Sequence, residues 1–180
     1  MALKCVEYLI GCGWPRAVEI DTGYATLSVM EHVMVRGLTL PARLMTLLDQ
    51  GRWRHPGDAG MARLIPWFES PLDLLANTDQ MERESRSLDT FDDEPYSAFL
   101  HVAWGSSRET PVELPWLDVE QEFFIAVNRV LGDDVALALD YRTDPADPRG
   151  VGSYVSTNLV VYKWRVVTPM FSAFVAASSL

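Results

Sequence analysis

The most constraining feature of this sequence lies between residues 123 and 149, where two apolar runs of strand length flank a short turn-like segment. The runs read FFIAVN and VALALDY, and a loop rich in proline and aspartate follows the second run. In the second run, Val135, Leu137, Leu139 and Tyr141 share one face at a period of two residues. Because a face of large apolar side chains has to be buried, the segment predicts a β-hairpin at the centre of a sheet.

Helix signals lie on both sides of this hairpin. Pro41, three leucines at helical spacing and Gly51 predict a helix over about residues 41–50. After the hairpin, two further strands are predicted over residues 151–155 and 160–167, and a Thr-Pro dipeptide with the stripe FSAFV then indicates a closing helix. This order predicts an α+β fold: a single domain with N-terminal helices, a central, mainly antiparallel sheet and a closing C-terminal helix.

Shorter segments carry predictions of their own. Residues 25–37 predict a helix that ends at a glycine. A short helix is expected to begin within residues 70–73, because their sequence SPLD has the form of a capping box with proline in the first turn. Thr78 is expected to cap a third helix, with Met81 and Ser85 on one face.

Length and composition indicate one sizeable core, since the chain has 180 residues and is 48% hydrophobic. We predict that residues 39–180 form the domain and that residues 1–38 are an extension outside it. Cys5 and Cys12 complete neither a zinc pattern nor a disulfide framework, so reduced thiols and a cytoplasmic location are expected. The longest uncharged run is shorter than the ~20 residues that a spanning helix needs, which predicts no membrane segment.

The net charge of −10 is distributed unevenly along the chain. Residues 1–68 carry a net charge of +1, residues 69–149 carry −13 and residues 150–180 carry +2. The negatively charged region, residues 69–149, repels phosphates, so nucleic acid is not expected as a partner. An acidic region can instead attract a basic protein partner, although ordinary solvated surface explains the same asymmetry.

Three sets of residues suggest chemistry and have simpler explanations. Residues 132–134, Gly-Asp-Asp, resemble a polymerase metal motif but lack its further acids and suit a turn. Asp140, Asp144 and Asp147 lack the alternate spacing of a calcium loop, and the histidines lack metal-ligand spacing. We therefore predict no catalytic residue, no metal and no cofactor. A small carboxylate-dependent hydrolase stays an alternative, because a sequence does not show which acids are neighbours in space.

Trp53 lies between Arg52 and Arg54 in a predicted loop and is therefore expected to be partly exposed. Tryptophan and arginine are enriched at binding hot spots, which makes Trp53 a candidate anchor for a protein partner. The alternative is that its indole folds back over the end of the helix predicted for residues 41–50.

The order of these segments resembles the SUKH superfamily, which groups bacterial immunity proteins with fungal regulators of cell-wall synthesis. Residues 40–51 are similar to its leading helix, where Leu-Pro, spaced leucines and a glycine follow one another. Residues 115–141 resemble its central strands around a Gly-Asp turn, with an acid that closes the second strand, and residues 164–175 resemble its last strand and closing helix. The resemblance covers about residues 40–180 and departs from the family at Gly150, where the family has a bulky apolar residue.

This resemblance implies a binding fold without catalytic residues, and many bacterial members neutralise secreted nuclease or related toxins. We therefore expect a protein-binding domain whose acidic middle region covers a basic toxin. The residues expected to contact the partner are Asp92, Asp93, Glu94, Glu120, Asp133, Asp134 and Trp53. A regulatory or scaffolding module with a non-toxin partner is the alternative. The sequence leaves the identity of the partner and the oligomeric state open.

Overall fold

A computed structural model of the chain describes residues 33–68, 71–89, 113–130, 135–155 and 162–180. These ranges contain short helices and two antiparallel sheets. In chain order the elements are β1 (Met34–Val35), β2 (Leu38–Thr39), α1 (Ala42–Asp49), α2 (Asp58–Leu64), β3 (Leu72–Leu74), α3 (Thr78–Ser85), a 3₁₀ helix (Arg86–Asp89), β4 (Glu122–Asn128), β5 (Ala136–Asp140), β6 (Arg149–Val155), β7 (Tyr162–Thr168) and α4 (Phe171–Ser178). Together they confirm the predicted α+β fold.

The main sheet has five antiparallel strands in the order β3-β4-β5-β6-β7. The predicted hairpin is β4–β5, and it lies at the centre of this sheet as expected. Phe123 pairs with Leu139 and Phe124 with Ala138, after which a bulge shifts the register before Ala126. The sheet was predicted to be mainly antiparallel, and all four of its strand pairings are antiparallel.

Both faces of β5 are buried, whereas the sequence pattern identified one buried face. Leu137 and Leu139 are fully buried, and Ala136 and Ala138 on the other face are at most 3% exposed. Small side chains on this second face let large rings from neighbouring strands meet above it. Phe124 of β4 and Trp164 of β7 stack there, with ring centroids 6.2 Å apart.

Helices α1 and α4 confirm two predicted helices and their buried stripes. Leu44 and Leu47 of α1 are buried, as are Phe171, Phe174 and Val175 of α4. Helix α4 packs against β6, β7 and α2. Within the described residues, no helix has the length and apolar character needed to cross a membrane.

Helix α3 is confirmed, and its cap is one residue earlier than predicted. Asn77 is the N-cap, and its side-chain oxygen accepts a hydrogen bond from the Gln80 backbone N–H at 2.9 Å. Met81 and Ser85 are buried as expected. The Ser85 hydroxyl accepts a hydrogen bond of 2.8 Å from the Phe124 backbone N–H, which joins α3 to β4.

Two predicted helices are wrong in the described residues. The capping-box segment leads into strand β3, whose Leu72 and Leu74 pair with β4, because the open edge of β4 supplies backbone partners that outweigh the local helix signal. The helix predicted for residues 25–37 is replaced at its end by the hairpin β1–β2. Arg36 and Gly37 in its turn have φ angles of 50° and 76°, which a right-handed helix excludes.

The departure from the family pattern at Gly150 has a local steric explanation. A Cβ atom on Gly150 would lie 2.9 Å from the Thr168 Oγ1, a distance too short for two such atoms. These two residues are partners in the β6–β7 pairing, and the register shifts directly after them. Glycine therefore permits the close approach of the two strands at this bulge.

Candidate functional site

The predicted contact residues fall mostly outside the described part of the chain. Those outside it are Asp92, Asp93, Glu94, Asp133 and Asp134. Glu120 is described, and it is exposed in the loop that precedes β4. Val130, at the far end of β4, is the last described residue before the segment that holds Asp133 and Asp134. The seven residues of β4 span about 24 Å at the usual rise of a strand, so Glu120 and Val130 lie far apart.

The expected exposure of Trp53 is wrong, because its side chain belongs to the core. Trp53 is 6% exposed, and its indole N–H donates a hydrogen bond of 2.8 Å to the Leu75 carbonyl oxygen. The ring packs against Phe171 and Phe174 of α4, with centroid distances of 5.9 Å and 6.3 Å. After α1, Gly51 adopts a left-handed conformation that turns the chain and brings the indole inward.

The sequence interpretation missed a group of buried charged side chains at one end of the central strands. We call it the buried charge cluster, and its members are Asp118, Glu122, Asp140, Arg142 and Arg149. Glu122 and Asp140 have no exposed surface, and Asp118 is 3% exposed. The strand register explains the proximity, because Glu122 pairs with Asp140 and Asp140 pairs with Arg149 across three neighbouring strands.

Arg142 joins the two fully buried carboxylates of the cluster. Its Nη2 donates to the Glu122 Oε1 at 3.0 Å and to the Asp140 Oδ2 at 2.7 Å. Its Nε donates to the Asp140 Oδ1 at 2.8 Å, so the contact with Asp140 is a two-point fork. Arg149 Nε donates to the Asp140 Oδ2 at 2.7 Å. The two guanidinium groups therefore neutralise the carboxylates where water does not reach.

The two central carboxyl groups have pKa values shifted in opposite directions. Burial raises the pKa of Glu122 well above its usual range and nearby Asp140 adds to this, while Arg142 opposes it. Burial alone would also raise the pKa of Asp140, but hydrogen bonds from Arg142 and Arg149 bring it below its usual value. Asp140 is thus the carboxylate that keeps its charge, and Glu122 is the group that favours a proton.

A carboxyl group with a raised pKa is typical of a general acid. Glu122, however, is not accessible to a substrate, which argues for a structural role. Neither Glu122 nor Asp140 exposes any side-chain surface, and both are covered by guanidinium groups. A substrate would have to displace Arg142 before it reached either group. Among the described residues, no group of three or more histidine, cysteine, aspartate or glutamate side chains is arranged to hold a metal ion.

The acids of the loop after β5 also bind donors of the protein itself. The Asp144 Oδ1 accepts a hydrogen bond from the Ala146 backbone N–H at 2.9 Å. The two oxygens of Asp147 accept hydrogen bonds from the backbone N–H and the hydroxyl of Ser172, at 2.9 Å and 2.6 Å. Asp147 therefore tethers this loop to the first turn of α4, where a negative charge is favourable.

Arg36 anchors the loop that carries Glu120. Its guanidinium group donates hydrogen bonds to the backbone carbonyl oxygens of Val119 and Glu122, the second at 2.7 Å, and to the carboxylate of Asp89. The side chain of Arg36 is only 9% exposed, although Asp89 is 58% exposed. The turn of the β1–β2 hairpin thereby holds the backbone on both sides of Glu120 in place, while Glu120 itself faces solvent.

A glutamine at position 122 is expected to change how stability depends on pH. A carboxyl group with a raised folded-state pKa binds more protons when folded, so stability falls as pH rises from the unfolded value near 4.3 through the folded value. The Glu122→Gln variant lacks this titrating group, so its free energy of unfolding should fall less steeply as pH rises. The slopes of the two proteins should differ by up to about 1.4 kcal/mol per pH unit in that window. Urea unfolding of both proteins between about pH 4 and pH 9 measures the difference. Parallel curves would contradict the assignment.

A comparison of the chain with protein-family models, curated proteins and solved structures found no match. The described residues themselves define the class of protein, an α+β domain with a central antiparallel sheet of five strands. The resemblance to the SUKH superfamily stays a prediction that rests on the sequence pattern.

Proposed function

We propose that this chain is a non-catalytic protein-binding domain of the immunity type, and that its acidic middle region covers a basic surface of a toxin. The proposal rests on the sequence resemblance and on one structural observation, the small share of the region's negative charge that the buried charge cluster holds. It places the domain in the cytoplasm of a bacterial cell that also encodes the toxin.

The observation that carries the proposal concerns the arginines of the acidic region. The buried charge cluster contains three carboxyl groups and two arginines, so it holds at most one net negative charge. At least twelve of the thirteen net negative charges of residues 69–149 therefore come from outside the cluster. Arg129, another base of this region, is bound by Asp58 and Asp73, at 3.3 Å and 2.7 Å. Arg83 also pairs with Glu84, at 3.2 Å, so four of the six bases in the region have carboxylate partners within the domain.

The mechanism is electrostatically steered occlusion. An excess of negative charge on one region speeds the encounter with a basic partner, and close packing afterwards blocks the site that the partner uses. Glu120 is suited to such a contact, because Arg36 fixes the backbone beside it and less order has to be gained on binding. Glu113 and Asp144 are further exposed acids of the same region.

The experiment is a capture assay with the purified domain as bait in cells that express the adjacent genes. We expect it to retain the product of a neighbouring gene and to protect cells against that product's toxicity. A domain that binds the neighbouring product without any protective effect would instead support the regulatory or scaffolding module. Failure both to bind and to protect would contradict the proposal.

A further inference from the structure

A basic cavity lies where the loop after α1 meets α2 and the end of α4. Its volume is about 630 Å³, and residues of all three segments line it. The basic residues of the lining are Arg52, Arg54, His55 and Arg63. None of the described residues that line it has an acidic side chain. The cavity is thus a positive site on a chain whose net charge is −10.

The arginines of the cavity lack the carboxylate partners that several other arginines of this domain have. Arg36, Arg129, Arg142 and Arg149 each bind at least one carboxylate. By contrast, no described carboxylate lies within ion-pair distance of Arg52, Arg54 or Arg63, and the Arg54 Nε donates to the Gly51 carbonyl oxygen at 2.7 Å. Several positive groups around one cavity repel each other, and an anion between them would relieve this repulsion.

His55, another residue of the lining, carries a hydrogen-bond donor on its ring. Its Nδ1 accepts a hydrogen bond of 3.0 Å from the Gly57 backbone N–H, so the proton of the neutral ring lies on Nε2. This Nε2 is buried and has no hydrogen-bond partner among the described residues. The nearest carboxylate oxygen, Asp58 Oδ1, is 4.0 Å away and also contacts Arg129. The ring therefore offers a donor that the protein leaves unused.

We propose that this cavity binds a small molecule that carries a phosphate or diphosphate group. Planar guanidinium groups match the oxygens of a phosphate in two-point hydrogen bonds, which favours this anion. The volume lies within the range of about 300–1,000 Å³ typical of small-molecule pockets, so there is room for an organic part beside Pro56 and Leu180. The overall negative charge disfavours a polynucleotide.

This site goes beyond the proposed function and does not depend on it. Its basic residues belong to residues 52–63, whereas the acidic region proposed to face a protein partner comprises residues 69–149. Binding of the small molecule and binding of the protein partner are therefore separable by variants in one segment or the other.

The test is calorimetric titration of the purified protein with three probes at equal ionic strength: ADP, inorganic pyrophosphate and adenosine. We expect saturable binding of ADP and pyrophosphate and none of adenosine. The double variant Arg52→Gln/Arg63→Gln should bind both phosphate probes at least tenfold more weakly, because it loses two charged donors. The matched double variant Arg43→Gln/Arg83→Gln removes two exposed arginines outside the cavity and should retain the affinity.

Several results would overturn the inference. They are the absence of saturable binding of both phosphate probes up to about 10 mM, an unchanged affinity in the cavity variant, an equal loss in the matched control, and binding of adenosine as tight as that of ADP. Circular dichroism and thermal unfolding of each variant show whether the fold is retained. Both double variants change exposed side chains, so an intact fold is expected.

Discussion

Replacement of Arg142 by methionine is expected to lower the free energy of unfolding by about 3–5 kcal/mol, the usual effect of removing one partner from a buried ion pair. Methionine retains much of the side-chain volume and removes the group that joins Glu122 to Asp140. Asp140 keeps Arg149 as a partner, but Glu122 is left with the Asp118 backbone N–H at 3.3 Å. Urea unfolding at neutral pH measures the loss.

The matched control for this prediction is Arg83→Met, which changes an arginine whose side chain is 62% exposed. Its effect should stay within about 0.5 kcal/mol, as for ordinary surface substitutions. In the double variant Arg142→Met/Glu122→Gln, part of the lost stability should return, because a neutral amide replaces the buried carboxyl group that has lost Arg142, while Asp140 keeps its pair with Arg149. A loss below about 1 kcal/mol in Arg142→Met would show that the cluster does not depend on this arginine.

Replacement of Trp53 by alanine is the second change with a large expected effect, a loss of about 3–5 kcal/mol of unfolding free energy. The side chain is 6% exposed and lies against two rings of α4, so its removal leaves a cavity among Phe171, Phe174 and the end of α1. Trp53→Phe retains an aromatic ring and loses the hydrogen bond to the Leu75 carbonyl oxygen, which should cost about 1–3 kcal/mol.

The control for Trp53 is Met170→Ala, because Met170 is 45% exposed directly before α4. It should change stability by no more than about 0.5 kcal/mol. If Trp53→Ala proved as stable as the control and instead abolished partner binding, the indole would be an interface anchor after all. Thermal unfolding and a binding assay on the same samples distinguish these outcomes.

The elements that the sequence predicted well are those with strong local signals. The period-two run from Val135 to Tyr141 and the leucine stripe of α1 both predict the element that forms. The capping-box pattern before β3 failed, because the pairing with β4 that decides its structure comes from residues about fifty positions away. Signals confined to a few neighbouring residues do not contain such information.

The buried charge cluster shows the same limit at the level of a site. Asp140 and Arg142 lie two residues apart, a spacing that can be read from the sequence. Their meeting with Glu122 and Arg149 depends on the register of three strands, which cannot be read from the residues of any one strand alone. Of the two alternatives for Trp53, the expected exposure was wrong for a related reason: the flanking arginines suggested exposure, whereas the turn at Gly51 directs the indole inward.

The most direct test of the proposed function is the association rate constant with the product of the adjacent gene, measured at increasing salt. Between about 0.01 M and 1 M salt, the Debye length falls from about 30 Å to about 3 Å, so the rate should fall steeply. Glu120→Lys should associate more slowly at low salt. Asp49→Lys, the same charge reversal at an exposed residue outside the acidic region, should behave like the unmodified protein. A rate that is independent of salt, and equal in the unmodified protein and Glu120→Lys, would contradict steering by this acidic region.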